Sequence, residues 1–365
     1  MMRRVKDATF MAEALDLAKR GCGRVSPNPM VGAVLVKNGR VVGRGWHRRF
    51  GGPHAEVEAI TDARSRAQGS VLYVTMEPCC FHGKTPACTN AVQLAGIKRV
   101  VAATLDPNPR VNGRGMRLLR GCGVTTSVGL MAHEARRLNE GYFTSVLKHR
   151  PFVLLKVAAT LDGMVADEMG HSKWITGPQA RALGHKLRLY ADAIVVGVNT
   201  VVADNPRLTC PAKAPGRLVR VILDSNLSTP LKSRLFTEPG PVLVFTSSRD
   251  AAKAERFWAR DIEMVRVSKD KDGLLNWPQI LAELHRKQLQ TVLIEGGATV
   301  ASSALEADIV DKMYVFQSPK MLGPGKLFTR GVTPRPHGQA IELTRVEHRC
   351  LGPDFLTKGY VHRAH

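Results

Sequence analysis

The 365-residue chain lacks features that would place it among membrane, fibrous or secreted proteins. It has no run of about 18 consecutive apolar residues, so no membrane span is expected. Glycine (33) and proline (21) are near their usual frequencies, which argues against collagen and against a disordered tail. No apolar signal segment follows the short basic stretch 1–6, so a cytoplasmic protein is the simplest expectation.

Aromatic residues are also scarce, at 5% of the chain, which is little for a surface that stacks nucleobases. The net charge is nevertheless +22, which would suit either nucleic acid or phosphate-bearing small molecules. The lysines and arginines are spread along the whole chain without a long basic run. A dedicated nucleic-acid binding protein is therefore not expected.

The cysteines do not suggest a disulfide framework. Their number is odd, seven, and three of them, Cys79, Cys80 and Cys88, fall within a short segment. In a chain of this length such a cluster favours a metal site.

Hydrophobic periodicity predicts alternating strands and helices in both halves of the chain. An N-terminal helix, with Asp7 or Thr9 as its cap, precedes two strands joined by an Asn38-Gly39 hairpin turn. The alternation pauses near Pro151, which marks a boundary, and then restarts without any internal repeat. These patterns predict two different α/β domains, residues 1–147 and 148–365.

Four residues of the first half form a candidate metal centre. His54 and Glu56 stand where a glycine loop enters a predicted helix, Cys79 follows a proline at a strand end, and Cys88 comes nine residues later. One imidazole and two thiolates leave a zinc ion with an open fourth position, as catalytic zinc sites do. The adjacent Cys80 is a rival ligand, and we favour Cys79 because it directly follows the proline.

The expected chemistry follows from this set of residues. Zinc lowers the pKa of a bound water, and Glu56 could take the proton of that water and return it to a departing amine. The H-x-E…P-C-x-x-C signature belongs to zinc deaminases of nucleobases, although here the second half is P-C-x₈-C. A lone His-Ala-Glu or a cysteine pair would mean little, but their combination predicts a zinc-dependent nucleobase-type deaminase.

Several longer segments resemble the RibD family of bacterial bifunctional riboflavin-biosynthesis proteins. In the first half these segments are SPNPMVGAVLV, GWHRRFGGPHAE, MEPCCFHGKTPAC and LDPNPRVNGRG. In the second half KVAATLDG, HSKWITG, ADNPRLT, VILDS and IEGGATVASS are similar to the reductase domain of that family. The resemblance implies a cytidine-deaminase-like α/β/α domain followed by a dihydrofolate-reductase-like α/β domain.

The resemblance implies two reactions on a phosphorylated pyrimidine. The first domain would use one zinc ion per chain to deaminate 2,5-diamino-6-ribosylamino-4(3H)-pyrimidinone 5′-phosphate. The second domain would use NADPH to reduce the ribosyl group to ribityl. A cytoplasmic homodimer or homotetramer is expected, with no nucleic-acid or membrane partner.

The resemblance also implies binding residues. Those for the deaminase substrate are Asn28, His47, Lys84, Asp106 and Asn108. Those for NADPH are Ala158, Trp174, Thr200, Asp204, Ser225, Gly297, Ala298, Thr299, Val300, Ala301, Ser302 and Ser303. Those for the reductase substrate are Ser172, Arg188, Leu208 and Glu295, to which we add Lys156 because it lies at a strand end of the same region.

Residues 295–299 also have a physical reason to bind phosphate. They connect a strand to a helix, and the free N–H groups at a helix start suit an anion, although the chain has neither a P-loop nor a clean G-x-G-x-x-G motif.

Two positions depart from the family pattern. Phe81, followed by His82, stands where members often have histidine, and Pro211 stands where an arginine is expected. These departures leave open a chain with only one active site. Separately, the +22 charge leaves open an RNA-binding protein with a deaminase-like fold.

Overall fold

The computed structural model describes residues 2–210 and 217–361. The chain divides into two compact units, Met1–His149 and Arg150–His365. Over the described ranges, no helix combines the length and the apolar character needed to cross a membrane. All seven cysteines are free thiols.

The first unit is built on a five-stranded sheet of order β2-β1-β3-β4-β5. Strand β1 pairs antiparallel with β2 and β3, whereas β3, β4 and β5 are parallel. The elements are α1 (Met2–Lys19), β1 (Gly32–Lys37), β2 (Arg40–Trp46), α2 (Ala55–Ala63), a 3₁₀ turn (Arg64–Ala67), β3 (Val71–Val74), α3 (Cys88–Leu94), β4 (Arg99–Ala102), α4 (Arg114–Gly121), β5 (Thr125–Val128), α5 (Ala132–Leu138) and α6 (Glu140–Lys148).

Alternate residues of the central strands supply two hydrophobic cores, one on each face of this sheet. Leu35 and Leu72 belong to the core that includes buried residues of α2, α3 and α4. Val34 and Tyr73 belong to the core that includes buried residues of α1 and α5. Both faces are covered, which explains why β1 is apolar along almost its whole length.

The predicted hairpin between β1 and β2 is present. Lys37 pairs with Arg40, and both turn residues have positive φ, 52° for Asn38 and 74° for Gly39. That backbone is the tight turn for which asparagine and glycine are suited.

The predicted cap of the first helix is wrong. The helix begins at Met2, so Asp7 lies inside it, where its carboxylate accepts hydrogen bonds from the Tyr73 hydroxyl and Arg99. A tertiary contact therefore uses the side chain that the local pattern suggested for the helix start.

The second unit contains a nine-stranded sheet of order β11-β10-β9-β8-β12-β6-β13-β16-β15, and a two-stranded sheet formed by β14 and β7. Its elements are β6 (Phe152–Ala159), β7 (Met164–Asp167), α7 (Pro178–Tyr190), β8 (Ala193–Gly197), α8 (Val198–Asp204), β9 (Val219–Leu223), a 3₁₀ turn (Arg234–Phe236), β10 (Val242–Thr246), α9 (Ala251–Trp258), β11 (Glu263–Arg266), α10 (Trp277–Arg286), β12 (Thr291–Ile294), α11 (Ala298–Glu306), β13 (Lys312–Gln317), β14 (Gly325–Leu327), a 3₁₀ turn (His337–Gln339), β15 (Thr344–Leu351) and β16 (Asp354–Tyr360).

The first seven strands in the sheet order, from β11 at the edge to β13, are all parallel. Strands β16 and β15 extend the sheet as an antiparallel hairpin. Hydrophobic periodicity predicted the parallel strands but missed this hairpin. Strand β15 is exposed at every residue except Leu351, so it carries no apolar alternation that could reveal it. The parallel arrangement matters for function because ligands bind at the carboxyl ends of such strands.

Candidate active sites

The first unit brings together His54, Cys79 and Cys88. Their ligand atoms all lie within 4.8 Å of one another. His54 Nδ1 is 3.2 Å from Cys88 Sγ and 3.6 Å from Cys79 Sγ. The set of one nitrogen and two sulfur donors fits zinc, for which imidazole and thiolate are preferred ligands.

Local structure explains how these three residues meet. His54 is the N-cap of α2, Cys88 is the first residue of α3, and Cys79 follows β3. The Cys88 backbone N–H donates to Cys79 Sγ at 3.3 Å. A helix start stabilises a thiolate through such N–H groups, and the hydrogen bond from the Cys88 thiol also lowers the pKa of Cys79.

The rival ligand Cys80 points elsewhere. Its Sγ contacts the Arg110 carbonyl oxygen at 3.7 Å. Among the described residues it is not part of the cluster of potential metal ligands. The choice of Cys79 from its position after the proline therefore agrees with the geometry.

Glu56 lies in the first turn of α2, one residue inside the helix from Ala55. Its side chain is only 3% exposed. Burial raises the pKa of this carboxyl group to about 7, while the nearby His54 ring lowers it. A buried carboxyl group beside three metal-type donors is in a position to exchange protons with a group bound among them.

Two of the residues predicted to bind the deaminase substrate contact each other. His47 Nδ1 lies 2.9 Å from the Pro53 carbonyl oxygen, and His47 Nε2 lies 3.2 Å from Asn28 Nδ2. Because a carbonyl oxygen only accepts, Nδ1 carries the hydrogen and Nε2 accepts from the amide. The His47 ring also meets the His54 ring edge to face at 5.2 Å, which places both predicted residues beside the donor cluster.

Asp106 and Asn108 shape the loop after β4. Asp106 Oδ1 accepts from the Tyr142 hydroxyl at 2.8 Å and from the Asn108 N–H at 2.9 Å. Asn108 Oδ1 in turn accepts from the Arg110 N–H at 3.0 Å. Burial raises the pKa of Asp106 to about 6. The predicted turn is present, and its side chains are held in place by contacts.

Glu77, which the sequence did not indicate, is 4% exposed and joins β3 to α4. Its carboxylate accepts from the Gly113 N–H at 2.7 Å and the Met116 N–H at 3.0 Å. Gly115 is needed there because an added Cβ would lie 2.1 Å from the Pro78 carbonyl oxygen. These contacts hold the segment that leads to Cys79 in place. No local sequence pattern predicts them, because they join residues far apart in the chain.

Aromatic rings hold two cations in the loops of this site. Lys84 Nζ lies 3.9 Å from the centre of the Phe50 ring, and the Arg110 guanidinium lies 4.1 Å from the centre of the Phe81 ring. His82 is exposed. Phe81, the residue that departs from the family pattern, therefore serves as a platform for an arginine.

The second unit contains a cavity of about 1290 Å³ at the carboxyl ends of its parallel strands. With the exception of Ser302, every residue predicted for NADPH or for the reductase substrate lines this cavity. The Ser302 side chain is 3% exposed, and its hydroxyl donates to the Thr299 carbonyl oxygen. The predicted residues are Lys156, Ala158, Ser172, Trp174, Arg188, Thr200, Asp204, Leu208, Ser225, Glu295, Gly297, Ala298, Thr299, Val300, Ala301 and Ser303.

The turn between β12 and α11 suits a phosphate group. Gly297 is the N-cap of α11, no side chain caps this helix, and the Gly297 N–H donates to Thr200 Oγ1 at 3.1 Å. A Cβ added at Gly296 would lie 2.7 Å from Val300 Cβ, so the backbone approaches the helix closely there. The first N–H groups of an α-helix have no acceptors inside the helix, and Ala298 and Thr299 at the start of α11 line the cavity, so this helix start fits the phosphates of a dinucleotide.

A buried ion pair crosses the cavity wall. Arg188 Nε and Nη2 donate to the two carboxylate oxygens of Glu295, both at 2.9 Å, and Nη1 donates to the Thr209 carbonyl oxygen at 2.9 Å. Burial opposes the charge of Glu295, but the hydrogen bonds from Arg188 prevail and lower its pKa. Arg188 and Glu295 both line the cavity, but each is already bound to the other in this ion pair.

The same wall contains His185, which the sequence analysis did not select. It precedes Arg188 by three residues on α7, so helical spacing could have indicated it. Pro211, the other departure from the family pattern, lies outside the described residues.

Comparison with known proteins agrees with both units. The family model for the cytidine and deoxycytidylate deaminase zinc-binding region matches residues 4–104, and the model for the RibD C-terminal domain matches residues 151–357. Riboflavin biosynthesis protein RibD of Aquifex aeolicus is 43% identical over 362 residues, which are 98% of each chain. The Escherichia coli protein of the same name is 38% identical over 96% of this chain and 98% of its own.

Solved structures give the same result. Acinetobacter baumannii RibD superposes with a TM-score of 0.89 at 32% identity, covering 98% of this chain and 99% of that one. A Thermotoga maritima structure described as a diaminohydroxyphosphoribosylaminopyrimidine deaminase/5-amino-6-(5-phosphoribosylamino)uracil reductase has a TM-score of 0.86 at 39% identity, with the same coverage.

The folds and sites thus define a protein in which a zinc-type deaminase domain precedes a reductase domain. The chain belongs to the RibD family of riboflavin biosynthesis proteins. The predictions of this family, of the deaminase-like and reductase folds, and of an enzyme that combines a deaminase with a reductase in riboflavin biosynthesis are confirmed.

Proposed function

We propose that this chain deaminates 2,5-diamino-6-ribosylamino-4(3H)-pyrimidinone 5′-phosphate and then reduces the ribosyl group of the product to ribityl with NADPH. Residues 1–147 would catalyse the first reaction and residues 148–365 the second. The observation that carries the proposal is the convergence of His54, Cys79 and Cys88 beside the buried Glu56 in a chain that also holds a RibD reductase domain.

His54, Cys79 and Cys88 would hold one zinc ion per chain. The donor set supports this assignment because its three ligand atoms, one nitrogen and two sulfurs, lie within 4.8 Å of one another. Zinc, when bound, supplies a water molecule whose pKa is lowered towards neutrality.

Glu56 would move the protons of the deamination. It accepts a proton from the attacking water and passes it to the amino group, so that the carbon–nitrogen bond breaks and ammonia leaves. The second proton of the water goes to the ring nitrogen, which leaves a carbonyl group. Its burial supports this role, because a carboxylate shielded from bulk water exchanges protons with the bound reactants.

The surrounding residues would orient the pyrimidine and its phosphate. Asn28 and His47 form a connected pair next to His54, and Asp106 and Asn108 stabilise the loop after β4. Lys84 has no ion-pair partner among the described residues, so its charge is available for the substrate phosphate.

The cavity of the second unit would hold the reductase reactants. The start of α11, Thr200, Ser225 and the neighbouring predicted residues would bind NADPH, which supplies hydride when present. Lys156, Ser172 and Leu208 would contact the pyrimidine substrate, together with the Arg188–Glu295 pair. Because Arg188 is bound to Glu295, another cation of the cavity would have to share the substrate phosphate.

One coupled assay tests both activities. The purified chain is expected to contain about one zinc per chain, to release ammonia from the diaminopyrimidine phosphate, and only then to consume NADPH. Ammonia release without NADPH consumption would leave only the first site active. Salt-sensitive RNA binding with neither turnover would instead favour the nucleic-acid alternative.

The cellular setting also belongs to this proposal. Seven free thiols support a reducing compartment such as the cytoplasm. A homodimer or homotetramer stays a prediction, which sedimentation of the purified chain would measure.

A further inference from the structure

The reductase cavity contains a histidine without an assigned role. His185 lines the cavity from α7, on the same helical face as Arg181 and Arg188, which are four residues before it and three after it. The residue is exposed to solvent. Within residues 2–210 and 217–361, no hydrogen-bond or ion-pair partner reaches it.

Its surroundings are charged and belong to the substrate region. The charged groups that act on it electrostatically are Arg181 and Arg188 from α7, Lys156 from β6, and Glu295 from the turn after β12. Lys156 lies close to α7, since a Cβ added at Gly184 would be 3.5 Å from Lys156 Cε. Three residues proposed to contact the reductase substrate, Lys156, Arg188 and Glu295, therefore line the same cavity as this imidazole.

The proposed reduction requires a proton as well as a hydride, and the inference rests on that function. Hydride adds to the anomeric carbon of the ribosyl group while the bond from this carbon to the ring oxygen breaks. The electron pair of that bond goes to the oxygen, which must take up a proton to become a hydroxyl group. NADPH is oxidised to NADP⁺, so the balance is one hydride and one proton for each product.

Most charged groups near His185 are unsuited to donate that proton. Arg188 keeps its protons at any physiological pH. Glu295 is held as a carboxylate by two hydrogen bonds from Arg188 and has no proton to give. Lys156 and His185 remain, and histidine is the side chain that loses and regains a proton most readily near neutrality.

We propose that His185 is a catalytic residue of the reductase and donates the proton to the sugar ring oxygen. The donor must be protonated, so the rate falls as the pH rises through its pKa. Partial desolvation lowers the pKa of His185, the charges of Arg188, Lys156 and Arg181 lower it further, and Glu295 raises it. The rate should therefore fall on the alkaline side of a pKa below the ordinary value of histidine.

The test compares His185→Gln with Lys156→Gln in the full chain, with the deaminated pyrimidine phosphate and saturating NADPH across a pH series. We expect His185→Gln to lower kcat about 100-fold, to leave KM for the pyrimidine within about threefold, and to remove the pH dependence. A third variant, His185→Ala, leaves space for a free imidazole, and added imidazole should restore part of its rate. His348→Gln, on exposed strand β15, is the matched control and should change nothing.

A binding measurement separates catalysis from folding. NADPH affinity, followed by quenching of protein fluorescence, should be the same in His185→Gln and the parent. An unchanged kcat, a pH dependence that persists in His185→Gln, or a pH dependence lost only in Lys156→Gln would overturn the role of His185. Failure of the proposed function itself would show earlier, as a parent chain that consumes no NADPH.

Discussion

The two candidate sites are organised differently. In the first unit, three donors at two helix starts and one strand end lie within 4.8 Å. In the second unit, the cavity draws on residues from Lys156 to Gly331 and on many separate elements. A compact metal-type site is thus specified by a short stretch of sequence, whereas a large cofactor cavity is specified by the whole domain.

The electrostatics differ in the same way. In the part of the chain that the structure describes, the buried Glu56 of the first site has no salt bridge and lies beside groups that could bind a cation. The second site neutralises its buried carboxylate, Glu295, with a bidentate bond from Arg188. In the first site the charged groups remain able to bind a metal ion and to transfer a proton. In the second site the Arg188–Glu295 ion pair stabilises the cavity wall.

Removing one zinc ligand should have the largest effect in the first site. We expect Cys88→Ala to lose its zinc and its ammonia release, because two ligands bind zinc far more weakly than three. NADPH-dependent reduction of supplied deaminated substrate should remain. Metal analysis by mass spectrometry and the two assays measure these outcomes.

Cys80→Ala is the matched control, since Cys80 is a neighbouring thiol turned away from the cluster. It should retain its zinc and its activity. Loss of zinc from Cys80→Ala, with retention in Cys79→Ala, would show that the wrong cysteine of the pair had been chosen.

The proton carrier should come next in magnitude. Glu56→Gln keeps the size of the side chain and the metal donors but cannot accept a proton, so ammonia release should fall about 10²- to 10⁴-fold. Zinc content should be unchanged. Glu58→Gln on the same helix, where Glu58 pairs with Arg48, is the control and should stay near the parental rate. A Glu56→Gln chain that releases ammonia at the parental rate would exclude the proton-transfer role.

The same contrast explains how much could be predicted from the sequence. His54, Glu56, Cys79 and Cys88 were predicted from their residue types, their order and their positions at predicted element ends, because zinc chemistry restricts which side chains can serve. The cavity residues came from resemblance to a family, since a strand end or a helix start looks alike in many proteins. That resemblance placed all but Ser302 at the cavity.

What was missed depends on contacts between distant segments. Glu77 reaches α4, Tyr142 reaches Asp106 across 36 residues, and Arg188 reaches Glu295 across 107. No local pattern encodes such partners, because they arise only when the chain packs. Strand β15 was missed for a different reason. It is an exposed edge strand, and it buries too little apolar surface to show a hydrophobic periodicity.

The buried ion pair of the second site should matter for stability. Arg188→Met leaves Glu295 charged and unpaired inside the protein, which costs about 3–5 kcal/mol. Because pairing lowers the pKa of Glu295, its stabilisation should be present at neutral pH and be lost as the pH falls through the acidic range. Denaturant unfolding of the full chain at several pH values measures both effects.

Arg286→Met is the control for that prediction. Arg286 pairs with Glu283 at 2.7 Å on an exposed helix surface, where solvent screens the charges, so its loss should destabilise the chain far less than the loss of Arg188. Equal effects of the two substitutions would contradict the view that the cavity wall depends on its ion pair.

The smallest expected effect concerns a single cation of the first site. A hydrogen bond to a charged group contributes about 1.5–3 kcal/mol, so Lys84→Gln should raise KM for the phosphorylated pyrimidine about 10- to 100-fold and change kcat little. The dephosphorylated substrate should show no such change. Lys98→Gln, an exposed lysine of the same unit, should match the parent. An equal rise in KM for both substrates would mean that Lys84 shapes its loop through Phe50 and does not bind the phosphate.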